Sequence, residues 1–258
     1  MFGNDPDRDW ERFGAEDPYY SILNTEAYRL HRLDDEAIQK IFRSGESCVE
    51  GFLRFAERRF GSLPRHSALE YGCGVGRLQL PLSSRFETVT GVDVSPSMLR
   101  EAEHHCRRIG ANNVRLLLSD DELSKVDTTF DFIVSYLVLQ HIPVRRGEAV
   151  VRQLLARLNL GGVAALHLTV GRSSSRVRHW VHVMRRNFRP LHYVANLRCG
   201  MHWNEPLMQT NLYRLERIVG IATAEDVTEM ALHPVQHGDH LGVMLYLHRA
   251  TTGNSIQG

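Results

Sequence analysis

Residues 68–78 read ALEYGCGVGRL, and this stretch constrains the fold more than any other part of the chain. A short apolar run leads through Glu70 into three alternate glycines, Gly72, Gly74 and Gly76, before an amphipathic segment begins. Glycines permit positive φ angles and leave bare backbone that a ligand can approach, and the first turn of a helix has free N–H groups. The order predicts a strand, a ligand-binding turn and a helix, although many α/β domains use such a turn only to reverse the chain.

After the glycine turn, apolar β-like runs alternate with helical ones. The predicted strands cover residues 88–92, 114–118, 130–136 and 163–170. Alternation of this kind indicates a parallel sheet covered by helices on both faces, with ligands beyond the carboxyl ends of the strands. Two more β-like runs, near 224–232 and 241–248, lie too close together for an intervening helix and predict an antiparallel hairpin that completes the sheet.

Composition limits the class of protein. The chain has 258 residues, 43% of them hydrophobic and 24% charged, as in a soluble globular protein, and its formal net charge of +1 gives no argument for nucleic acid or membrane. The four cysteines form no CxxC pair, which argues against a zinc site or a disulfide framework. With an acidic, polar start and no run of about 20 apolar residues, we expect a cytoplasmic protein without a transmembrane segment.

The chain divides into five expected segments. Residues 1–62 hold an aromatic strap and two helices, near 34–42 and 46–60, the second capped by Gly61. The strap covers either the core or a pocket, and Tyr19 and Tyr20 are candidates to close such a pocket from above. The other segments are the ligand-binding core, an arginine-rich helical insertion, a final helix near 207–219 followed by the hairpin, and a tail. Their limits are 63–170, 171–206, 207–250 and 251–258.

The insertion at 171–206 has many arginines and a single carboxylate, Glu205. Apolar residues recur in it at helical spacing, so its arginines are either a solvated helix face or part of a lobe that recognises phosphate or carboxylate groups of a substrate, for which arginine is well suited. In the second interpretation the candidate substrate contacts are Arg176, Trp180, His202 and Glu205.

Acidic residues stand at three successive strand ends: Glu70, Asp93 and Asp120. In a parallel sheet these ends are neighbours, so the three side chains are expected to line one crevice. Asp93 follows the glycines at the spacing at which an acid reaches a ribose diol, which predicts a nucleoside ligand. The glycine pattern is GxGxG, with Arg77 next, rather than the GxGxxG of dinucleotide sites, and Glu70 would repel a pyrophosphate but tolerate a cationic ligand.

Several motifs occur together and in a characteristic order: ExGxGxG, GVDVSPSML, LSDD, FDFIVSYLVLQHI and LGG. Over about residues 66–170 they resemble the class I S-adenosylmethionine-dependent methyltransferase family. The resemblance implies a Rossmann-like, doubly wound and mostly parallel seven-stranded sheet with an antiparallel last strand. It also implies methyltransferase activity with S-adenosylmethionine as cofactor.

The resemblance also implies roles for individual residues. Glu70 and the Gly72, Cys73 and Gly74 backbone would hold the methionine part of the cofactor, and Asp93 would bind both ribose hydroxyls. Asp120 would receive the adenine amino group, with Asp121 as the competing assignment. The remaining contacts would come from Val94, Met98, Leu137 and Val138.

Transfer to a hydroxyl benefits from a base near the methyl group, and His141 is the best candidate, with a capping or packing role as the alternative. His167, inside an apolar strand, is expected to be a core residue. No residue set has metal-ligand spacing, so the transfer is predicted to be metal-independent. The amino-methylating motif asparagine-proline-proline-tyrosine is absent after the fourth strand, where LVLQHIP stands, and this favours oxygen as the acceptor atom.

The LQHIP form and the tail are similar to bacterial methyltransferases of small molecules and sugars. The predicted function is therefore O-methylation of a saccharide, in polysaccharide biosynthesis, or of a related small metabolite. The sugar would carry phosphate, a nucleotide or a lipid-linked diphosphate, and peripheral contact of 171–206 with a membrane stays open. The alternatives are a nitrogen, carbon or macromolecular acceptor, or a non-catalytic module that binds an anionic partner.

Overall fold

The fold is seen in a computed structural model that describes residues 5–23, 26–172, 208–237 and 239–251. Its centre is a seven-stranded sheet in the order β3-β2-β1-β4-β5-β7-β6. Strands β1 to β5 are parallel, whereas β7 runs antiparallel to both of its neighbours, β5 and β6. The strands are β1 (Ser67–Tyr71), β2 (Thr88–Asp93), β3 (Val114–Leu118), β4 (Phe130–Ser135), β5 (Leu158–Arg172), β6 (Glu229–His237) and β7 (His240–His248). The predicted fold class is confirmed.

Helices cover both faces of this sheet, each through an apolar core. Short 3-10 turns lie at Glu26–Tyr28, Leu30–Arg32 and Leu139–His141, and the α-helices are α1 (Pro6–Glu16), α2 (Pro18–Leu23), α3 (Asp35–Phe60), α4 (Gln79–Ser83), α5 (Pro96–Ile109), α6 (Val144–Ala156) and α7 (Leu215–Ala224). Side chains of α6 and α7 pack on one face of the sheet, and those of α3 and α4 pack on the other. A third, small cluster joins α2, α3 and α5. The doubly wound arrangement leaves the carboxyl ends of the parallel strands free for a ligand.

Two helices were predicted between residues 34 and 60, but the structure has one. Helix α3 is continuous from its N-cap, Asp34, whose side chain accepts a hydrogen bond from Ala37 N. Gly45 lies inside this helix where α3 crosses the glycine-turn region, since an added Cβ would be 2.1 Å from the Arg77 carbonyl oxygen. The predicted cap at Gly61 is confirmed, with φ at +91°.

The C-terminal elements are shifted from their predicted limits. Helix α7 begins at Leu215, so Gly220 lies inside it rather than after it. Tyr213, two residues before this start, is anchored: its hydroxyl lies 2.9 Å from both the Leu139 and the Ile142 carbonyl oxygens, which share its one proton. Gly147 makes room for this ring, because a Cβ there would be 1.8 Å from the Tyr213 hydroxyl.

Among the described residues, no helix has the length and apolar character that crossing a bilayer requires. Cys48, Cys73 and Cys106 are free thiols.

Candidate functional site

A cleft of about 860 Å³, including its open mouth, lies at the carboxyl ends of β1, β2 and β4. The strand ends contribute residues 70–74, 92–94 and 136–138 to its lining, and residues 6–7, 10 and 21–22 cover it from the N-terminal helices. This is the position at which open α/β sheets bind ligands. Of the residues expected to hold a cofactor, the cleft brings together Glu70, Gly72, Cys73, Gly74, Asp93, Val94, Met98, Leu137 and Val138.

The glycine turn forms the floor of the cleft. Gly72 and Gly74 have φ angles of +77° and +52°, in the left-handed region that favours glycine. A Cβ at Gly72 would lie 2.4 Å from Val138, so only a bare backbone fits between β1 and the end of β4. At Gly74 the nearest atom to an added Cβ is 3.7 Å away, in Ile22, so the backbone there is open to the cleft.

Asp93, at the end of β2, is oriented by the backbone of the neighbouring turns. Its Oδ2 accepts a hydrogen bond from Gly74 N at 2.8 Å, and its Oδ1 accepts one from Ser95 N at 2.9 Å. Burial raises the pKa of Asp93 to about 6, although these hydrogen bonds oppose the shift. Each carboxylate oxygen keeps a lone pair for a ligand, as the two hydroxyls of a diol require.

Glu70 and Arg77 place a carboxyl group and a guanidinium beside the glycine turn. Both are buried and both line the cleft. Glu70 Oε2 accepts a hydrogen bond from Gln79 at 2.9 Å, and burial raises the pKa of Glu70 to about 8. Arg77 reaches Ser44 Oγ at 3.4 Å and Cys48 Sγ at 3.7 Å, which are weak partners for a buried guanidinium. The pair can receive a ligand that carries both an ammonium and a carboxylate.

Helix α1 is fixed over the cleft by two polar contacts. Arg146 donates to both carboxylate oxygens of Asp7, each at 2.7 Å, and its Nε donates to Asp121 at 2.5 Å. Glu11 accepts hydrogen bonds from Ser95 Oγ at 2.7 Å and from the backbone and hydroxyl of Ser97. These contacts fix α1 at the start of α5, beside Asp93. The N-terminal segment is therefore part of the cleft wall.

The residues of this wall differ from those expected. Tyr19 is buried against α5, where its hydroxyl bonds to Glu101 and lies 2.6 Å from His105 Nε2. The Tyr20 ring lies under the Arg29 guanidinium, 3.5 Å from it. Neither tyrosine lines the cleft; Trp10 of α1 and Ile22 of α2 do. The sequence signal for Trp10 was its place on one helical face with Asp7 and Glu11, which becomes informative only once α1 is recognised as a helix.

Asp120 and Asp121 lie outside the lining of the cleft, which Ser119 reaches in their place. Asp120 is turned toward Ser124, whose backbone N donates to it at 2.9 Å, and Asp121 is held by Arg146. Their assignment to the adenine amino group stays a prediction. The expected substrate residues Arg176, Trp180, His202 and Glu205 lie outside the described residues.

His141 lines the cleft at the end of the 3-10 turn, with its ring 4.9 Å from that of Trp10. Its Nδ1 is 2.6 Å from the Gln209 carbonyl, to which it must donate. The side-chain oxygen of Gln140 accepts a hydrogen bond from the Thr169 hydroxyl, so its amide nitrogen faces His141. That nitrogen donates to His141 Nε2 at 3.0 Å. Burial lowers the pKa of His141 to about 4, so the ring is neutral at pH 7. His167 is buried in β5, edge-on to Tyr136.

In the described part of the chain, no group of three or more histidine, cysteine, aspartate or glutamate side chains is arranged to hold a metal ion.

Comparison with known proteins shows what the part of the chain that builds the cleft is similar to. A family model described as a methyltransferase domain matches residues 68–162. The magnesium-protoporphyrin O-methyltransferase of Synechocystis sp. is 29% identical over 94 residues, 36% of this chain and 41% of that protein. The phosphatidylethanolamine N-methyltransferase of Cereibacter sphaeroides is 36% identical over 96 residues, 36% of this chain and 46% of that protein. The chain thus matches less than half the length of either relative.

Solved structures extend the likeness to nearly the whole chain at the level of the fold. The Synechocystis magnesium protoporphyrin IX methyltransferase with bound SAH matches with a TM-score of 0.61 and 17% identity, over 95% of this chain and 100% of that one. A phosphoethanolamine N-methyltransferase of Haemonchus contortus matches with a TM-score of 0.56 and 16% identity, over 78% of this chain and 53% of that one. Together with the matched domain, these likenesses confirm the predicted resemblance to class I methyltransferases.

Proposed function

We propose that this chain, whose residues 68–162 form a methyltransferase domain of the class I S-adenosylmethionine-dependent family, transfers a methyl group from S-adenosylmethionine to a small-molecule acceptor. The observation that carries the proposal is the cleft at the glycine turn, with Asp93 oriented by Gly74 N and Ser95 N. A carboxylate held in this way at the end of β2 fits a ribose diol.

The residues of the cleft fit the rest of the cofactor as well. Glu70 would bind the ammonium of its amino-acid part, and Arg77 would bind the carboxylate, so that each charge gains a partner of opposite sign. The open backbone at Gly74 allows close approach, and Met98 offers an apolar surface to the adenine. A ligand ammonium would favour the ionised form of Glu70, which would repel a pyrophosphate.

The cofactor, when bound, supplies an electrophilic methyl group on a sulfonium. The task of this chain is then to bind, orient and exclude water. The contacts of Asp7 with Arg146 and of Glu11 with Ser97 hold α1 over the cleft, with Trp10 directed into it. We propose that α1 shields the reacting atoms and that it must move for the cofactor to exchange.

His141 is our proposal for the base. It is neutral at pH 7, and its Nε2 has a lone pair that can take a proton from an acceptor hydroxyl once Gln140 turns away. The low pKa makes His141 a weak base. A weak base is sufficient because the hydroxyl proton of the acceptor becomes strongly acidic as its oxygen forms the bond to the methyl group. The alternative role is structural, because the bond from Nδ1 to Gln209 anchors the chain that leads into α7.

The acceptor is the least constrained part of the proposal. Oxygen as the accepting atom is supported by the sequence alone, where LVLQHIP stands in place of the amino-methylating motif, and a saccharide by the LQHIP form and the tail. An acceptor lobe at 171–206 is also a proposal, and its arginines would suit an anionic group on the sugar. The relatives are named for a porphyrin and a phospholipid, and another for ubiquinone biosynthesis. A cytoplasmic location is proposed on the free thiols of Cys48, Cys73 and Cys106.

The test is methyl transfer itself. The full chain is incubated with S-adenosylmethionine labelled in the methyl group and with small-molecule and glycan fractions of the producing cell, and labelled products are separated and identified. We expect label in one fraction and none with the Asp93→Ala variant. Cofactor binding without transfer to any fraction would favour the non-catalytic module.

A further inference from the structure

Two sets of hydrogen bonds meet at the ring of His141, one at each nitrogen. At Nδ1 the ring donates to the Gln209 carbonyl at 2.6 Å. At Nε2 it accepts from the side-chain amide of Gln140 at 3.0 Å, and the oxygen of that amide accepts from the Thr169 hydroxyl at 2.8 Å. The first bond fixes which nitrogen carries the proton, and the second set determines which group the remaining lone pair faces.

The bond at Nδ1 is built into the backbone. Asn211 donates to the Gln140 carbonyl from its backbone nitrogen at 2.7 Å and from its side-chain nitrogen at 3.2 Å. Arg172, at the end of β5, donates to the Thr210 carbonyl at 2.7 Å. The segment that carries the Gln209 carbonyl is thus bonded both to the 3-10 turn and to β5. The tautomer of the ring is therefore set by chain geometry, with the proton on Nδ1 and the lone pair on Nε2.

Thr169 decides which end of the Gln140 amide faces the ring. Its side chain is fully buried in β5, and the single proton of its hydroxyl goes to the amide oxygen. The amide nitrogen is thereby turned toward the Nε2 lone pair. Without that hydroxyl the amide is free to rotate by half a turn and to present its oxygen, which stabilises a protonated Nε2 instead.

The direction of the amide matters because only a neutral ring can take a proton. A donor that faces a lone pair loses its acceptor when the lone pair is protonated, so the amide of Gln140 opposes protonation of His141. An amide oxygen in the same place would favour protonation. The hydroxyl of Thr169 therefore acts on the ring through the amide, without touching it.

The other groups around the ring are the same whichever way the amide points. Burial lowers the pKa of His141 to about 4, His240 of β7 lowers it further, and a backbone carbonyl opposes them. On the cleft side the ring contacts the uncharged Trp10, and Asp7 and Arg146 are paired with each other. A change in the direction of the amide thus alters the protonation of the ring without altering the charges near it.

We propose that Gln140 and Thr169 are positioning residues for the base: Thr169 sets the direction of the Gln140 amide, and the amide keeps the Nε2 lone pair of His141 ready for the proton of an acceptor hydroxyl. That hydroxyl takes the place of the amide nitrogen at Nε2, while the amide oxygen stays on Thr169. This inference rests on the proposed function, in which His141 is the base.

The chain offers nearly isosteric variants for each part of this arrangement. Thr169→Val removes the hydroxyl, and Thr169→Ser restores it. Ser135→Ala is the matched control, since Ser135 of β4 is also fully buried and its hydroxyl donates to the Tyr71 carbonyl at 3.1 Å. Gln140→Glu keeps an acceptor for the Thr169 hydroxyl but replaces the amide nitrogen by a carboxylate oxygen.

The protonation of His141 is read by NMR, independently of turnover. The full chain is labelled with ¹³C at histidine Cε1, the His141→Ala spectrum assigns the signal, and pH is varied with and without S-adenosylhomocysteine. In the wild type we expect little titration of this signal above about pH 5. The midpoint should rise by about one pH unit in Thr169→Val and by about two in Gln140→Glu, because a carboxylate attracts the proton. Thr169→Ser and Ser135→Ala should keep the wild-type midpoint.

The pH dependence of labelled methyl transfer shows whether this proton matters for the reaction. Activity should be lost as pH falls through the pKa of His141, so the acid limb of kcat/KM should move upward in Thr169→Val and Gln140→Glu by the same amounts as the NMR midpoints. Thr169→Ser should return the limb to its wild-type position.

The inference is overturned if the midpoints of Thr169→Val and Gln140→Glu equal that of the wild type, or if Ser135→Ala shifts as much as Thr169→Val. It is overturned equally if the midpoints move and the limb of kcat/KM does not. Failure of the proposed function looks different: the wild-type chain then transfers no label to any fraction, while the NMR midpoints still show whether Thr169 and Gln140 set the proton on His141.

Discussion

Glu70→Gln tests how the cleft recognises the amino-acid part of the cofactor, through the pH dependence of binding. Burial raises the pKa of Glu70 to about 8, so in the free protein about one molecule in ten has this side chain ionised at pH 7 and about half at pH 8. A ligand ammonium needs the ionised form. Affinity for S-adenosylhomocysteine should therefore rise about five-fold between pH 7 and pH 8 in the wild type.

The variant and a truncated ligand isolate this effect. Glu70→Gln has no group to ionise, so its affinity should be lower and nearly flat over the same range. Methylthioadenosine lacks the amino-acid part and should show no such rise even with the wild type. Asp93, with a pKa of about 6, is largely ionised throughout this window and adds little slope. Isothermal titration calorimetry measures all four combinations, and an equal slope in the variant, or with methylthioadenosine, would refute the reasoning.

Stability without ligand gives an independent check on the same group. The pKa of Glu70 is about 8 when folded against a usual value of 4.5, so the native state binds this proton more tightly than the unfolded chain does. The free energy of unfolding should fall as pH rises from about 4.5 to about 8, because ionising the buried group costs the native state. Urea unfolding should show a smaller fall for Glu70→Gln.

Three further changes probe the rest of the site. His141→Ala should lower turnover by about 10²-fold or more if the ring is the base, with cofactor affinity unchanged, and unaltered turnover would leave only the anchoring role. Arg146→Met removes the contacts that hold α1 over the cleft, to Asp7 and to the loop before β4. S-adenosylhomocysteine should therefore dissociate several-fold faster in stopped-flow measurements. The control variant Arg145→Met, at the exposed neighbouring residue, should behave as wild type. Gly72→Ala puts a side chain at a residue with positive φ and places its Cβ 2.4 Å from Val138. The midpoint of thermal unfolding should therefore be lower by several degrees. An unchanged midpoint would contradict the close packing described.

Much of the core followed from local pattern. Apolar runs alternating with amphipathic ones predicted the parallel sheet, and turn residues such as Ser95 and Gly110 marked helix ends because capping is a local interaction. The glycine turn and Asp93 were predictable for the same reason, since their spacing along the chain fixes their spacing at the sheet edge. Nine of the residues expected to hold the cofactor do line one cleft.

The features that depend on distant contacts were missed. The sequence predicts two helices, near 34–42 and 46–60, whereas α3 runs unbroken through Gly45, where the Arg77 backbone approaches closely. Helix α1 carries few apolar residues and is held by Arg146 and Ser97, both far away in the chain, so its periodicity was not visible. Of the two tyrosines expected at the pocket, Tyr19 packs on α5 and Tyr20 lies under Arg29, because burial of an aromatic ring does not specify the partner.

The most direct test of the central claim is the binding of S-adenosylmethionine to the wild-type chain and to Asp93→Ala, measured by calorimetry beside NAD. Loss of two hydrogen bonds to a carboxylate should weaken binding by about 10²-fold in the variant, while circular dichroism shows the fold intact. We expect one S-adenosylmethionine per wild-type chain and no binding of NAD. Equal affinity in the two proteins, or binding of NAD in preference, would contradict the assignment of the cleft.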